Sequence, residues 1–191
     1  MFLALRPSQQ TIDRFIAESQ ALPLSYDPIG LARTDPASSH VDEEVVAIGR
    51  GEDAFERACA ALARWEQFNL GWAELFLRNA GIEPGTVVAV LIRHLGFWSL
   101  NGCRVVYGVG DRQRGHQFGL AYGTLTNHAE RGEELFEVFR HPASGDVMFR
   151  IRAVSRPRAV LARAGYPLTR YLQAKFRRDS AAAMRRAMER Q

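Results

Sequence analysis

From Gly85 onward, apolar and polar residues alternate with a period of two, the pattern of half-buried strands. Thr86–Arg93, Arg104–Val109, Phe118–Leu125, Leu135–Arg140 and Val147–Val154 read as five strands. Turn residues join them at Asn101-Gly102, Gly108 to Gly115, Glu130 to Gly132 and Ser144-Gly145-Asp146. Links this short imply antiparallel neighbours. In the third strand Phe118, Leu120, Tyr122 and Thr124 share one face, and Gly119, Ala121, Gly123 and Leu125 share the other. A face so poor in side chains admits close approach by another element or a sharp bend. It is where the C-terminal helix is expected to lie.

The rest of the chain changes period. Ser8–Gln20 sets Ile12, Phe15 and Ile16 on one helical face. Prolines 23, 28 and 36 then mark an extended connector. Glu43–Ile48 is a sixth strand, and Glu52–Glu66 a helix with Phe55, Cys59, Leu62 and Trp65 inward. Trp65, Phe68 and Trp72 form an aromatic packing knot around the stop at Gly71. Pro167 opens a final helix with a stripe of Leu168, Leu172, Phe176, Ala183 and Ala187. At 1.5 Å per residue it is about 36 Å long, enough to cross a sheet.

The order of strand, helix, five strands and long helix gives an α+β fold. Its economical form is a strongly bent antiparallel sheet of about six strands gripping the C-terminal helix. That architecture resembles the helix-grip fold of START and Bet v 1-like proteins, which implies a hydrophobic cavity between helix and sheet. Residues 1–40 are expected to form an N-terminal helix and connector, and 41–191 the helix-grip domain.

Composition adds little except in its distribution. Hydrophobic and charged shares of 47% and 24% are ordinary for a globular chain of 191 residues. Residues 150–191 carry twelve basic and two acidic residues, so the preceding 149 are net negative. The asymmetry suits either an anionic partner or a helix neutralised by the acidic body. Only two cysteines occur, outside any CxxC pair, and the apolar run MFLAL is too short for a signal-peptide core. A cytoplasmic protein is expected, with no membrane span, and nucleic acid ranks below a small molecule as its partner.

Phosphate-loop, nucleophile-elbow and HExxH patterns are absent. His128-Ala129-Glu130 matches half of a zinc-deaminase signature, but the PCxxC half is missing. Three arrangements of Asn127, His128, Glu130, Glu133 and Glu134 stay open. They are oxygen and nitrogen donors for a divalent metal, an acid/base group, and an exposed turn in which Glu130 and Glu134 pair with Arg131 or Arg140. No metal or cofactor is assigned. At the last strand's exit, Arg156 suits a carboxylate or phosphate, or a partner such as Glu133 or Glu134.

The segments FERACAALARWEQFNLGW, GTVVAVLIRHLGFWSLNGCRVVY, FGLAYGTLTNHAERGEELF and AVSRPRAVLARAGYPLTRYLQAKFRRDSAAAM together resemble uncharacterised protein family 0548, domain of unknown function 1990. The resemblance spans roughly residues 24–188. It points to Trp65, Phe68, Gly71, Trp72, Cys103, Arg104, Tyr107, Tyr122, Gly123, Thr124, His128, Glu130, Glu133, Glu134, Ser155, Arg156 and Pro157. The family's GHPE around the histidine reads NHAE here, from Asn127 to Glu130. The family brings no established activity.

Three functions follow as expectations. The first is a binding protein for a hydrophobic or amphiphilic small molecule, with Trp72, Trp98, Arg104, Tyr107, Tyr122, Thr124, Phe149 and Arg156 as ligand-binding residues. The second is a hydrolase-, cyclase- or isomerase-like enzyme with His128 as base, oriented by Glu130 or Glu134. The third is an anionic-surface binder acting through the arginine-rich helix.

Overall fold

A computed structural model describes residues 1–34, 40–77, 81–112, 116–157 and 166–190. In chain order the elements are β1 (Phe2–Leu3), α1 (Gln9–Ser19), β2 (His40–Arg50), α2 (Gly51–Ala63), β3 (Ala73–Phe76), β4 (Val87–Arg93), β5 (Trp98–Asp111), β6 (Gln117–Thr124), β7 (Glu130–Arg140), β8 (Asp146–Pro157) and α3 (Tyr166–Glu189). Short 3₁₀ turns stand at Leu31–Arg33 and Glu66–Phe68. The strands form one curled antiparallel sheet in the order β2-β8-β7-β6-β5-β4-β3. β1 pairs with β5 at Trp98 and Ser99, beyond the reach of β6, which starts its pairing at Cys103. Among the described residues the sheet therefore has eight strands. β1 and β3 are too short to show a period in the sequence.

The concave face holds the main core. Phe55, Leu62 and Phe68 meet Val88, Val90, Leu120, Phe136, Phe149 and Ile151, and α3 closes the layer with Ala181, Met184 and Ala187. Phe68 is the aromatic hub, with ring centroids 5.7 Å from Phe136 and 5.3 Å from Phe176. Trp65 is fully buried in this layer at a left-handed φ of 59°.

The convex face is covered too. Ser8 caps α1 by accepting the Thr11 N–H. Ile12, Phe15 and Ile16 then bury against Ala89, Leu91 and Leu100. This explains why β4 is a continuous apolar run. Its odd positions lie under α1 and its even positions face the main core, so neither face sees water.

The glycine face of β6 is also convex, so α3 does not lie on it. The segment after α1 does. A Cβ on Gly123 would stand 2.3 Å from the Tyr26 hydroxyl and 2.9 Å from Leu24 Cδ2. Only a glycine lets that segment cross so close.

Candidate functional site

Strand parity decides which of the polar residues act together. β7 starts at Glu130, so the acidic cluster lies in a strand and not in an exposed turn. Its even positions Glu130, Gly132 and Glu134 line a cavity under α3, on the concave side with Phe136. Tyr122 and Thr124 of β6, Ala153 and Ser155 of β8, and His128 of the β6–β7 turn join them. Phe68, Trp72, Val90 and Ile92 form the apolar wall. Leu172, Gln173, Phe176 and Arg177, at helical i, i+1, i+4, i+5 spacing, form the roof. The cavity, partly open to solvent, has a volume of about 120 Å³.

The polar wall is tied together. The Tyr122 hydroxyl donates to Glu134 Oε2 at 2.6 Å. Gln173 Nε2 donates to Glu130 Oε2 at 2.8 Å and to Ser155 Oγ at 3.0 Å. Asp42 of β2 accepts from Arg170 and, at 3.1 Å, pairs with Arg177. Thr124 is a clasp, its hydroxyl accepting the Gly132 N–H at 2.9 Å and donating to the Gly132 carbonyl. The Glu130 and Glu134 expectation of pairing with Arg131 or Arg140 is replaced by these partners.

Electrostatics separates the groups. Burial pushes the His128 ring down to about 3, so it is neutral. Its Nδ1 accepts the Glu130 N–H at 2.9 Å, which leaves the proton on Nε2. The basic nitrogen is thus occupied by backbone, and among the described residues no carboxylate is hydrogen-bonded to the ring. Burial also raises Glu130, opposed by its bonds to Gln173 and Ser155. Glu134 is pushed up to about 7, first by burial and further by the Glu130 charge, against the stabilising Tyr122 bond.

A raised carboxyl reverses the usual pH dependence. Glu134 holds its proton more tightly folded than unfolded, relative to an ordinary value of 4.5. Its contribution is fully present below about 4.5 and is lost as pH rises through 7. Replacing Glu134→Gln is expected to stabilise the protein at pH 8 by up to about 3 kcal/mol and to leave pH 4 nearly unchanged. Urea melts at the two pH values check this.

Glu133 has the opposite parity and a different role. On the convex side its carboxylate accepts from the Tyr26 hydroxyl at 2.8 Å, the Tyr107 hydroxyl at 2.5 Å, and the N–H groups of Gly30 and Ala32 at 2.8 and 3.0 Å. It pins the segment after α1 onto the sheet. Burial and then the Glu133 charge raise the Tyr26 phenol, and burial followed by the Glu133 bond raises that of Tyr107.

Of the residues expected to bind or react, His128, Glu130, Glu134, Trp72, Tyr122 and Thr124 line the cavity. Four others do not. Tyr107 points to the convex side because β5 bulges between Val105 and Tyr107, which shifts its parity. Arg104 also faces outward, donating to the Gln20 and Leu22 carbonyls. Trp98 packs beside the α1 cluster beneath the Arg6 guanidinium. Phe149 is 1% exposed, locked in the core. The Arg156 side chain lies outside the described residues.

Gln173, Arg177, Leu172, Phe176, Phe68 and Asp42 complete the site without having been assigned to it. The stripe of Leu172 and Phe176 marked the helix face, and Gln173 is its uncharged polar neighbour. The arginine-rich helix spends much of its charge within the protein. Arg170 and Arg177 meet Asp42, Lys175 meets Asp179, and Arg190 meets Glu66. Among the described residues no three His, Cys, Asp or Glu side chains converge as a metal-holding group, and no helix is long and apolar enough to cross a membrane.

The family profile described as "Domain of unknown function (DUF1990)" matches residues 25–183. A UPF0548 protein of Dictyostelium discoideum is 34% identical, covering 98% of this chain and 96% of that protein. Among solved structures, a START superfamily protein of Mycobacterium smegmatis superposes with a TM-score of 0.53 at 11% identity, covering 79% of this chain and 98% of that one. A Thalictrum norcoclaurine synthase point mutant in complex with a transition-state analogue superposes with a TM-score of 0.51 at 9% identity, covering 82% and 98%. These two likenesses establish the START-like fold.

Proposed function

The chain belongs to the DUF1990 family, and we propose that it is a binding protein for a small amphiphilic molecule held between the sheet and α3. One observation carries this reading. The cavity sets an aromatic and aliphatic wall, from Phe68, Trp72, Val90 and Ile92, against a hydrogen-bonding wall from Tyr122, His128, Glu130 and Glu134. An amphiphile satisfies both walls at once. The volume of about 120 Å³ suits a body the size of a single ring. The synthase that shares the fold carries a transition-state analogue, which supports small-molecule binding on this scaffold. The buried free thiols of Cys59 and Cys103 support a reducing, cytoplasmic setting.

Native mass spectrometry of gently isolated protein tests the reading. A small adduct that leaves on denaturation is expected. A bare polypeptide mass, with no uptake from a panel of ring-sized fragments, contradicts it.

A second reading, proton-transfer catalysis, draws on one specific feature. Glu134 titrates at about 7 beside the Tyr122 hydroxyl, the range in which a carboxyl both gives and takes protons. Incubating the co-purified molecule with fresh protein separates the two readings. Binding leaves it intact, whereas catalysis converts it.

A further inference from the structure

We infer that the molecule held in the cavity presents a neutral acceptor oxygen, of the carbonyl class, to the Nε2–H of His128. The inference rests on the small-molecule reading above and adds the chemistry of the ligand's polar end. It follows from where the donors of the cavity wall go. Tyr122 commits its hydroxyl proton to Glu134 Oε2. The Thr124 hydroxyl lies 3.1 Å from the Gly132 carbonyl and 2.6 Å from Ser25 Oγ. Gln173 Nε2 donates to both Glu130 Oε2 and Ser155 Oγ. Ser155 is itself hydrogen-bonded to Glu130.

His128 is different. Its Nδ1 accepts the Glu130 N–H at 2.9 Å, so the one proton of the neutral ring sits on Nε2. The ring lines the cavity, and its Nε2–H has no hydrogen-bond partner among the described residues. Among the described uncharged side chains of the wall, it is the donor left without an acceptor. An N–H in a space walled by Phe68, Trp72 and Phe176 is costly to leave unmet. A ligand oxygen placed there gains the bond and removes that cost. A ligand N–H would meet the ring donor to donor, whereas a carbonyl accepts without adding a proton that needs an acceptor of its own.

The backbone holds this donor in place before any ligand arrives. The His128 backbone N–H donates to the Leu125 carbonyl at 3.0 Å, and the Ala129 N–H to Asn101 Oδ1 at 3.2 Å. The β6–β7 turn is thus pinned on both sides of the ring, and a pre-set donor loses little freedom on binding. Burial pushes the ring down to about 3, so the same neutral donor persists throughout the neutral pH range.

Cyclohexanone and benzene, ring-sized probes with and without an acceptor oxygen, test this by NMR of protein labelled at the histidine rings and the methyls. Both are expected to shift the Val90 and Ile92 methyls saturably, as the cavity reading requires. Only cyclohexanone is expected to move the His128 Nε2–H resonance to lower field, along the same saturation curve. In His128→Phe cyclohexanone should bind about fivefold more weakly, the worth of one neutral hydrogen bond, while benzene holds its affinity. Phe also strands the Glu130 N–H, so benzene on the same variant reports whether the cavity survives, and the unmutated protein's Nε2–H shift needs no variant at all. If cyclohexanone saturates the methyls and leaves Nε2–H unmoved, or if His128→Phe costs it no more than it costs benzene, the carbonyl inference is overturned and the binding reading stands. If neither probe shifts the cavity methyls at about 10 mM, where ring-sized fragments bind at ordinary ligand efficiency, both fail together.

Discussion

Replacing Glu133→Ala is expected to lower the stability by about 4 kcal/mol, among the largest effects of any single polar change in this protein. The carboxylate is 2% exposed and accepts four hydrogen bonds, two from tyrosine hydroxyls and two from backbone N–H groups. Losing it strands donors from three places, Tyr26, the Gly30–Ala32 turn and Tyr107, with Ala32 itself only 1% exposed. A buried donor without an acceptor costs more than the lost bond alone. Glu133→Gln should be nearly as damaging, since its amide nitrogen would face donors where an acceptor is needed. For a chain of this size the melting temperature should fall by roughly 10 °C. Calorimetric melts would contradict the latch if the loss were below about 1 kcal/mol.

Gly132→Ala is expected to act from the other side of the same strand. A Cβ there would stand 2.0 Å from the Val154 carbonyl oxygen and 2.7 Å from Ser155 Cα, both backbone atoms of β8. Backbone in a paired strand cannot rotate away as a flexible side chain can, so β7 and β8 must separate locally. A cost of about 3 kcal/mol follows. Gly132 also stands between Glu130 and Glu134 and is bonded through both its N–H and its carbonyl to Thr124. The shift should therefore misplace the polar wall and weaken probe binding as well. Urea unfolding and fragment titration of the same variant read both effects. A fully stable variant would show that β8 yields without cost.

How far these features could be read from the sequence depended on what signalled them. Period-two alternation marks β5 to β8, because one face of each strand meets a large core, whereas β4 shows as a continuous apolar run buried on both faces. The same alternation separates Glu130 and Glu134 from Glu133, and so separates a cavity wall from a latch. Read as a turn, those residues lose that parity, and charge argues for exposure. Only the surrounding partners, Gln173 from a distant helix and Tyr122 from the next strand, make burial tolerable. Tyr107 shows a second limit. Its parity with Cys103 and Val105 puts it inside, and a one-residue bulge with no glycine or proline to announce it puts it outside. The small-residue face of β6 announced a close approach but not what approaches. Tyr26 lies in a proline-marked stretch whose docking depends on long-range bonds to Glu133, which no local pattern carries.

The cavity between β7 and α3 is the centre of the account, and methyl NMR tests it most directly. Benzyl alcohol, titrated into protein labelled at the Val, Leu and Ile methyls, should shift Val90, Ile92 and Leu172 in a saturable way. Leu95, 89% exposed at the β4–β5 hairpin, should stay unmoved. Saturable shifts confined to the three cavity residues are the expected result. Unshifted cavity methyls, or shifts only at exposed sites such as Leu95, would contradict a ligand-binding site beneath α3.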